Sequence, residues 1–212
     1  MTKFLSILLL SSFFLTNASF AKSEDKVKFR VFTPSAIKSL LGDFPAAGSA
    51  AEAADYKTLL AWQETRTTEQ CDNAEAQSSA NLKTIFATNN GPLTDKEASF
   101  LEKLYIIKYA SIGANIFLAK SLYDRQRPYD ANPEVKPCIE LESSSAYPSG
   151  HAAMAFAFAG LLGDQYPEKK AAFFKAAEQA ALNRVIGGVH HPSDIVAGKK
   201  LGLAIYDLLK ND

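Results

Sequence analysis

Apolar residues recur along this chain with helical spacing, and no stretch of any length alternates as a strand does. From Ser49 or Ala50 onward, Ala53, Tyr56, Leu59, Leu60 and Trp62 fall on one helical face. Polar residues then dominate to about Ala80, where a high alanine content still favours helix. Asn89-Asn90-Gly91-Pro92 breaks the pattern. Thr94-Asp95-Lys96-Glu97 is a capping box, in which the threonine caps and the glutamate reaches back. Behind it, Phe100, Leu101, Leu104, Ile107, Tyr109, Ile112, Ile116 and Phe117 form a broad apolar face, predicting one helix to about Tyr123. Tyr129 to Ser149 reads as a loop, with Pro133, Pro137 and three consecutive serines. Ala152 to Leu162 is apolar all round, which marks a buried helix. Asp164 to Pro167 interrupts it. Pro167 suits the first turn of a helix carrying Ala171, Phe173, Phe174, Ala177 and Ala181. Gly187-Gly188 turns the chain, and Pro192 opens a last helix with Ile195, Val196, Leu201, Ile205 and Leu208 inward. Lys22 to Gly48, punctuated by Pro34, Gly42, Pro45 and Gly48, reads as irregular. The pattern predicts an all-α, single-domain helical bundle of six to eight helices, without internal repeats.

Residues Met1 to Ala21 stand apart. Lys3 is their one charge, an apolar run extends from Phe4 to Leu15, and Ser19-Phe20-Ala21 puts small residues where a signal peptidase reads. A retained membrane anchor is the other reading, but the run is shorter than the ~20 residues that span a bilayer. The expected division is a signal peptide over 1–21 and a helical domain over 22–212, with a periplasmic or secreted location and no stable membrane insertion after cleavage. Leu104 to Ala119, the next best spanning candidate, is short and carries Lys108.

Charge narrows the partners. The 212 residues hold 23 basic and 23 acidic side chains, and removing Met1 to Ala21 removes one lysine. Such a balance gives no electrostatic case for nucleic acid or an anionic membrane surface. Cys71 and Cys138 are the only cysteines. In an oxidising compartment they can pair across a long loop; the alternative is two separate buried thiols. Neither has a histidine nearby in sequence, so a cysteine nucleophile is not expected.

Three clusters carry candidate chemistry. Lys120 and Arg127-Pro128, with Arg125 between, end the long helix; alone they read equally as a solvated basic helix end. Tyr147-Pro148-Ser149-Gly150-His151 precedes the buried helix, whose free N–H groups suit an anion, although an ordinary serine cap looks the same. Arg184, His190 and Asp194 form the third. Asp194 lies one helical turn after His190 and can hold one ring nitrogen as donor, leaving the other as a nucleophilic lone pair.

Taken together, Lys120-x6-Arg127-Pro128, Pro148-Ser149-Gly150-His151 and Arg184-x5-His190-x3-Asp194 resemble, in order and spacing, the three-part signature of the phosphatidic acid phosphatase type 2 superfamily. That superfamily includes bacterial class A non-specific acid phosphatases, membrane lipid phosphatases and vanadium haloperoxidases. Tyr56 to Thr67 adds a weaker similarity to the class A enzymes. Three departures weaken that narrower assignment: Asn183 stands where serine is usual, Ala152 where threonine is, and His191 where an aromatic is. The resemblance implies the helical fold of that superfamily and an acid phosphatase acting through a phosphohistidine. It assigns His190 as nucleophile, Asp194 as its orienting carboxylate and His151 as acid and base. Lys120, Arg127, Ser149, Gly150 and Arg184 would bind phosphate. No metal and no cofactor are expected, since three fixed cations supply the charge. The expected partner is a small-molecule phosphate ester; a homo-oligomer stays open. A lipid phosphate phosphatase, and more remotely a haloperoxidase, are the alternatives.

Overall fold

Capping side chains and prolines set most of the helix boundaries in this computed structural model, which describes residues 28–88 and 90–211. The expected signal peptide lies outside the described residues. Thr33 accepts from Ala36 N at 3.2 Å and Pro34 takes the first helical position of α1, Pro34–Leu41. Ser49 caps α2, Ala50–Thr65, through Glu52 N. A Thr67–Gln70 capping box opens α3, Thr68–Ala76, and α4 is the short Leu82–Phe86. The Thr94–Glu97 box opens α5, Asp95–Leu104, followed by α6, Ile106–Ser121, and the one-turn α7, Pro128–Ala131. Next come α8, Gly150–Gln165, a 3-10 turn at Pro167–Lys169, α9, Lys170–Ile186, and α10, Pro192–Leu209. No strand occurs among the described residues.

The fold departs from the sequence pattern at several points, and Val196, expected inward, is exposed. Ten α-helices, not six to eight, form among the described residues. The segment taken as irregular holds α1, because Pro34 and Gly42 mark its two ends rather than disorder. The helix expected from Asp95 to Tyr123 is two, broken at Tyr105, whose ring lies on Phe158 and whose hydroxyl bonds Gln165. Pro167 opens a 3-10 turn before α9, and the loop from Tyr129 contains most of α7.

α8, apolar all round from Ala152 to Leu162, is the buried centre, packed chiefly against α9 and α10 and touched by α6 and α4. Phe156, Phe158 and Leu162 are fully or almost fully enclosed, each contributing roughly 1.5–3 kcal/mol by burial. Close approach of α10 to the start of α8 depends on Gly198. A Cβ there would lie 2.5 Å from Ser149 O and 2.8 Å from Ala152 Cβ. The Pro-Ser-Gly-His segment and the segment carrying His190 and Asp194 are thereby pressed together. Cys71 and Cys138 are joined as a disulfide, with Cα atoms 5.8 Å apart. It ties α3 to the 132–149 segment, which no helix stabilises. Among the described residues no helix is long and apolar enough to cross a membrane.

Candidate active site

All three histidines and three arginines converge where α6, α8, α9 and α10 meet. Lys120 is on the last turn of α6 and Arg127 is the N-cap of α7. Ser149 caps α8 through Ala152 N at 3.3 Å, and His151 follows in the first turn. A Cβ at Gly150 would lie 3.3 Å from Lys120 Cε, so glycine lets the lysine stem cross the start of α8. Arg184 is on the last turn of α9, and its carbonyl accepts from Val189 N at 3.1 Å and His190 N at 3.3 Å. That turn, through Gly187-Gly188, brings His190 back beside Arg184. The eight residues expected to form the site are thus brought together.

His190 is wholly buried and held at both nitrogens. Nδ1 faces Asp194 Oδ2 at 3.3 Å, and since a carboxylate only accepts, that nitrogen carries the proton. Nε2 therefore bears the lone pair, and Arg127 Nη1 donates into it at 3.1 Å. Burial, opposed by the Asp194 hydrogen bond and aided by Arg127, lowers the His190 pKa to about 3, so the ring is neutral across the ordinary pH range. Asp194 is itself heavily held. Oδ2 also accepts from His191 N at 2.8 Å and His191 Nδ1 at 3.1 Å, and Oδ1 accepts from Arg125 Nη1 at 2.6 Å. Burial would raise its pKa, but the hydrogen bonds from His190 and His191 hold it far below the ordinary carboxylate range.

His151 donates from Nε2 to Ser78 O at 2.8 Å, which leaves the Nδ1 lone pair facing the site. Burial first, then the Arg184 charge, lowers its pKa to about 4. Burial, followed by Arg127, brings Lys120 down to about 8. Lys120 Nζ bonds Ser145 O. One expected anion donor is already committed, because Ser149 N–H bonds Asp194 O at 3.0 Å. The Ser149 hydroxyl accepts from Ala152 N but keeps its own proton to donate.

Four further residues join the site, of which only Arg125 stands in a candidate cluster of the sequence. Arg125 joins Asp194 to Asp55, its Nη2 lying 2.9 Å from Asp55 Oδ2. Ser193 completes the cluster, donating from N to Asp55 Oδ1 at 3.0 Å. Asp55 sits four residues before the buried Leu59, so a carboxylate on the inward face of α2 was its signal. Glu142 is the fourth. Its Oε2 pairs with Arg127 Nη2 and its Oε1 with Arg184 Nη2, each at 2.7 Å, and Oε1 is 3.8 Å from His151 Nδ1. A glutamate in an irregular segment carries no periodicity that could have singled it out. Burial pushes its carboxyl up, but His190, Arg127, His151 and Arg184 outweigh that and hold it well below the usual range.

A constellation of three fixed cations around a neutral, carboxylate-oriented imidazole suits the binding of a tetrahedral oxyanion and attack on its centre. Comparison with known proteins agrees in kind. The model of the PAP2 superfamily matches residues 103–210. Over 113 residues the chain is 32% identical to a non-specific acid phosphatase of Providencia stuartii, which covers 51% of this chain and 46% of that protein. Over 83 residues it is 29% identical to the bacitracin transport permease protein BcrC of Bacillus licheniformis, covering 39% and 41%. The chain therefore spans under half the length of these curated relatives. In three dimensions it resembles a transmembrane PAP2-type phosphatidylglycerolphosphate phosphatase from Bacillus subtilis, with a TM-score of 0.50 and 22% identity, covering 84% of this chain and 90% of that one. It also resembles a bacterial vanadium-dependent iodoperoxidase, with a TM-score of 0.58 and 20% identity, covering 82% and 53%. At such identities the likeness is one of fold.

Proposed function

This chain belongs to the PAP2 superfamily, and from that premise we propose that it is an exported, metal-independent phosphomonoesterase working through a phosphohistidine. The fold, all-α and shared with PAP2 phosphatases and vanadium haloperoxidases, admits this chemistry. One observation carries the reading: His190 Nδ1 is fixed on Asp194 Oδ2 at 3.3 Å, so the opposite nitrogen points its lone pair at Arg127.

In the proposed reaction the phosphoryl oxygens lie against Arg127, Arg184 and Lys120, with the Ser149 hydroxyl as a further donor. His190 Nε2 gives its pair to phosphorus, and the ester P–O bond breaks with its pair on the leaving oxygen. That oxygen takes a proton from His151 Nδ1. Asp194 balances the charge that His190 gains. Water then loses a proton to His151 and attacks phosphorus, the P–N bond breaks, and phosphate leaves. Arg127 Nη1 must turn from Nε2 to a phosphoryl oxygen for the pair to become free. The three cations do what a bound metal does elsewhere.

Export is supported by the apolar run within Met1 to Ala21 and by the Cys71–Cys138 disulfide, a bond suited to an oxidising compartment. The similarity to the acid phosphatase favours soluble monoesters. The transmembrane relative's fold keeps phosphorylated lipids as the second substrate class. Turnover of p-nitrophenyl phosphate, of phosphatidate in vesicles and of halide with vanadate, each with a chelator present, separates the readings. The deciding test is mass spectrometry of the enzyme quenched during turnover. An acid-labile phosphoryl group on the peptide carrying His190, absent from His190→Ala along with activity, is expected. Full activity of His190→Ala would overturn the assignment.

A further inference from the structure

Every donor of Arg127 is taken in this structure. Its five N–H groups go to Ser144 O, Val189 O, His190 Nε2, Glu142 Oε2 and Ser144 Oγ. Arg184 gives Nη2 to Glu142 Oε1 and Nη1 to Ala74 O, and its buried Nε finds no acceptor. A phosphoryl group that needs both guanidiniums meets Glu142 already between them. The carboxylate has two oxygens, one on each arginine, whereas a phosphate brings enough to reach the orphaned Nε as well. Arg127, Arg184 and His190 are buried to 2% exposure or less, while the Glu142 side chain that pairs with both arginines keeps 27%.

We infer that Glu142 is an internal occupant of the phosphate seat, which substrate must displace before it can bind and before His190 is freed. The inference rests on the phosphatase reading for the identity of the ligand. Displacement calls for a side-chain swing rather than a loop opening. The Tyr129 hydroxyl donates to Glu142 O at 2.6 Å and accepts from Glu142 N at 3.1 Å, so the backbone there is pinned. A short strap continues from it, with Ser144 and Ser145 carbonyls on Arg127 and Lys120. Arg127 links seat and nucleophile: the guanidinium that holds Glu142 also donates to the His190 lone pair.

An internal occupant lowers the apparent affinity for every ligand by one factor, the fraction of time the seat is empty. A carboxylate that stayed beside the ligand would instead act by repulsion, in proportion to ligand charge. Calorimetric binding of inorganic phosphate and of monoanionic dimethyl phosphate at pH 8 distinguishes these. Glu142→Gln should bind both more tightly, by about tenfold or more and by the same factor. Glu142→Asp, which keeps the charge but is too short to span both arginines, should fall between, and it serves if Glu142→Gln does not fold. Tightening of phosphate alone would overturn the inference, as would unchanged or weaker binding, which would make Glu142 a holder of the arginines. The readout is binding, so a wild type that binds phosphate but hydrolyses no ester sinks the catalytic reading and leaves this one standing.

Discussion

Arg125 Nη1 donates to Asp194 Oδ1 at 2.6 Å, on the carboxylate oxygen opposite the one that faces His190. The catalytic histidine of the proposed mechanism is thus positioned from two residues away. Arg125 is anchored in turn by Asp55 from α2, a helix that contributes nothing else to the charge cluster. Both members of this pair are almost fully buried, and losing one partner of such a pair costs about 3–5 kcal/mol. Arg125→Met should therefore destabilise the protein by that order in urea and lower kcat on activated esters. Wild-type stability in that variant would show the pair to be idle.

Asp194→Asn tests tautomer control. Arg125 Nη1 would hold the amide oxygen on its own side and leave the NH2, a donor, against Nδ1, so the ring can then present Nε2–H to the substrate. The expected fall in kcat is ~10⁴-fold, the loss seen when a serine-hydrolase carboxylate is made an amide. A fall below tenfold would show that His190 is oriented by something else.

Acid should destabilise the fold in two stages. The pKa values of His151 and His190, about 4 and about 3, lie below the unfolded value near 6.5, so between these limits the unfolded chain binds more protons. Stability then falls as pH drops from 6.5, by about 1.4 kcal/mol per pH unit for each histidine. Asp194 and Glu142, held below the ordinary range, add to the loss below about 4.5. Urea midpoints from pH 8 to 4 measure the slope, and His151→Asn should shallow it.

The same low pKa limits His151 as an acid. In the free enzyme its protonated form dominates only below about 4. For alkyl phosphates, whose leaving oxygen needs a proton, kcat/KM should decline as pH rises past that value. His151→Ala should slow alkyl esters more than p-nitrophenyl phosphate and remove that decline. Equal losses on both would exclude the acid role.

Reducing the Cys71–Cys138 bond frees a 67-residue loop in the unfolded chain, worth about 4 kcal/mol in the chain-entropy picture. Urea unfolding with and without reductant measures it. Because Cys138 begins the segment that carries Glu142, reduction should also alter the affinity for inorganic phosphate.

The proposed catalytic groups were legible because fixed spacings hold them. Asp194 reaches His190 within one helical turn, and Ser149-Gly150-His151 must open a helix to work at all. What could not be read depends on contacts between distant segments. Asp55 meets Ser193 across 138 positions and Glu142 meets Arg184 across 42, and no periodicity encodes either. The break at Tyr105 escaped for a related reason, since the apolar pattern runs through it unchanged and the tertiary partners, Phe158 and Gln165, decide. Pro34 was misread because one residue type both ends and begins helices.

The hydrogen bond from Ser149 N to Asp194 O, together with the missing side chain at Gly198, welds the proposed anion seat and the support of the proposed nucleophile into one block. Neither half can be retuned without disturbing the other. Any change of substrate range must therefore enter from outside the block, through the ribbon between Pro133 and Ala146 that the disulfide and Tyr129 hold and that brings Glu142 to the arginines. For an engineer that ribbon is the exchangeable part, and the block is what must be kept whole.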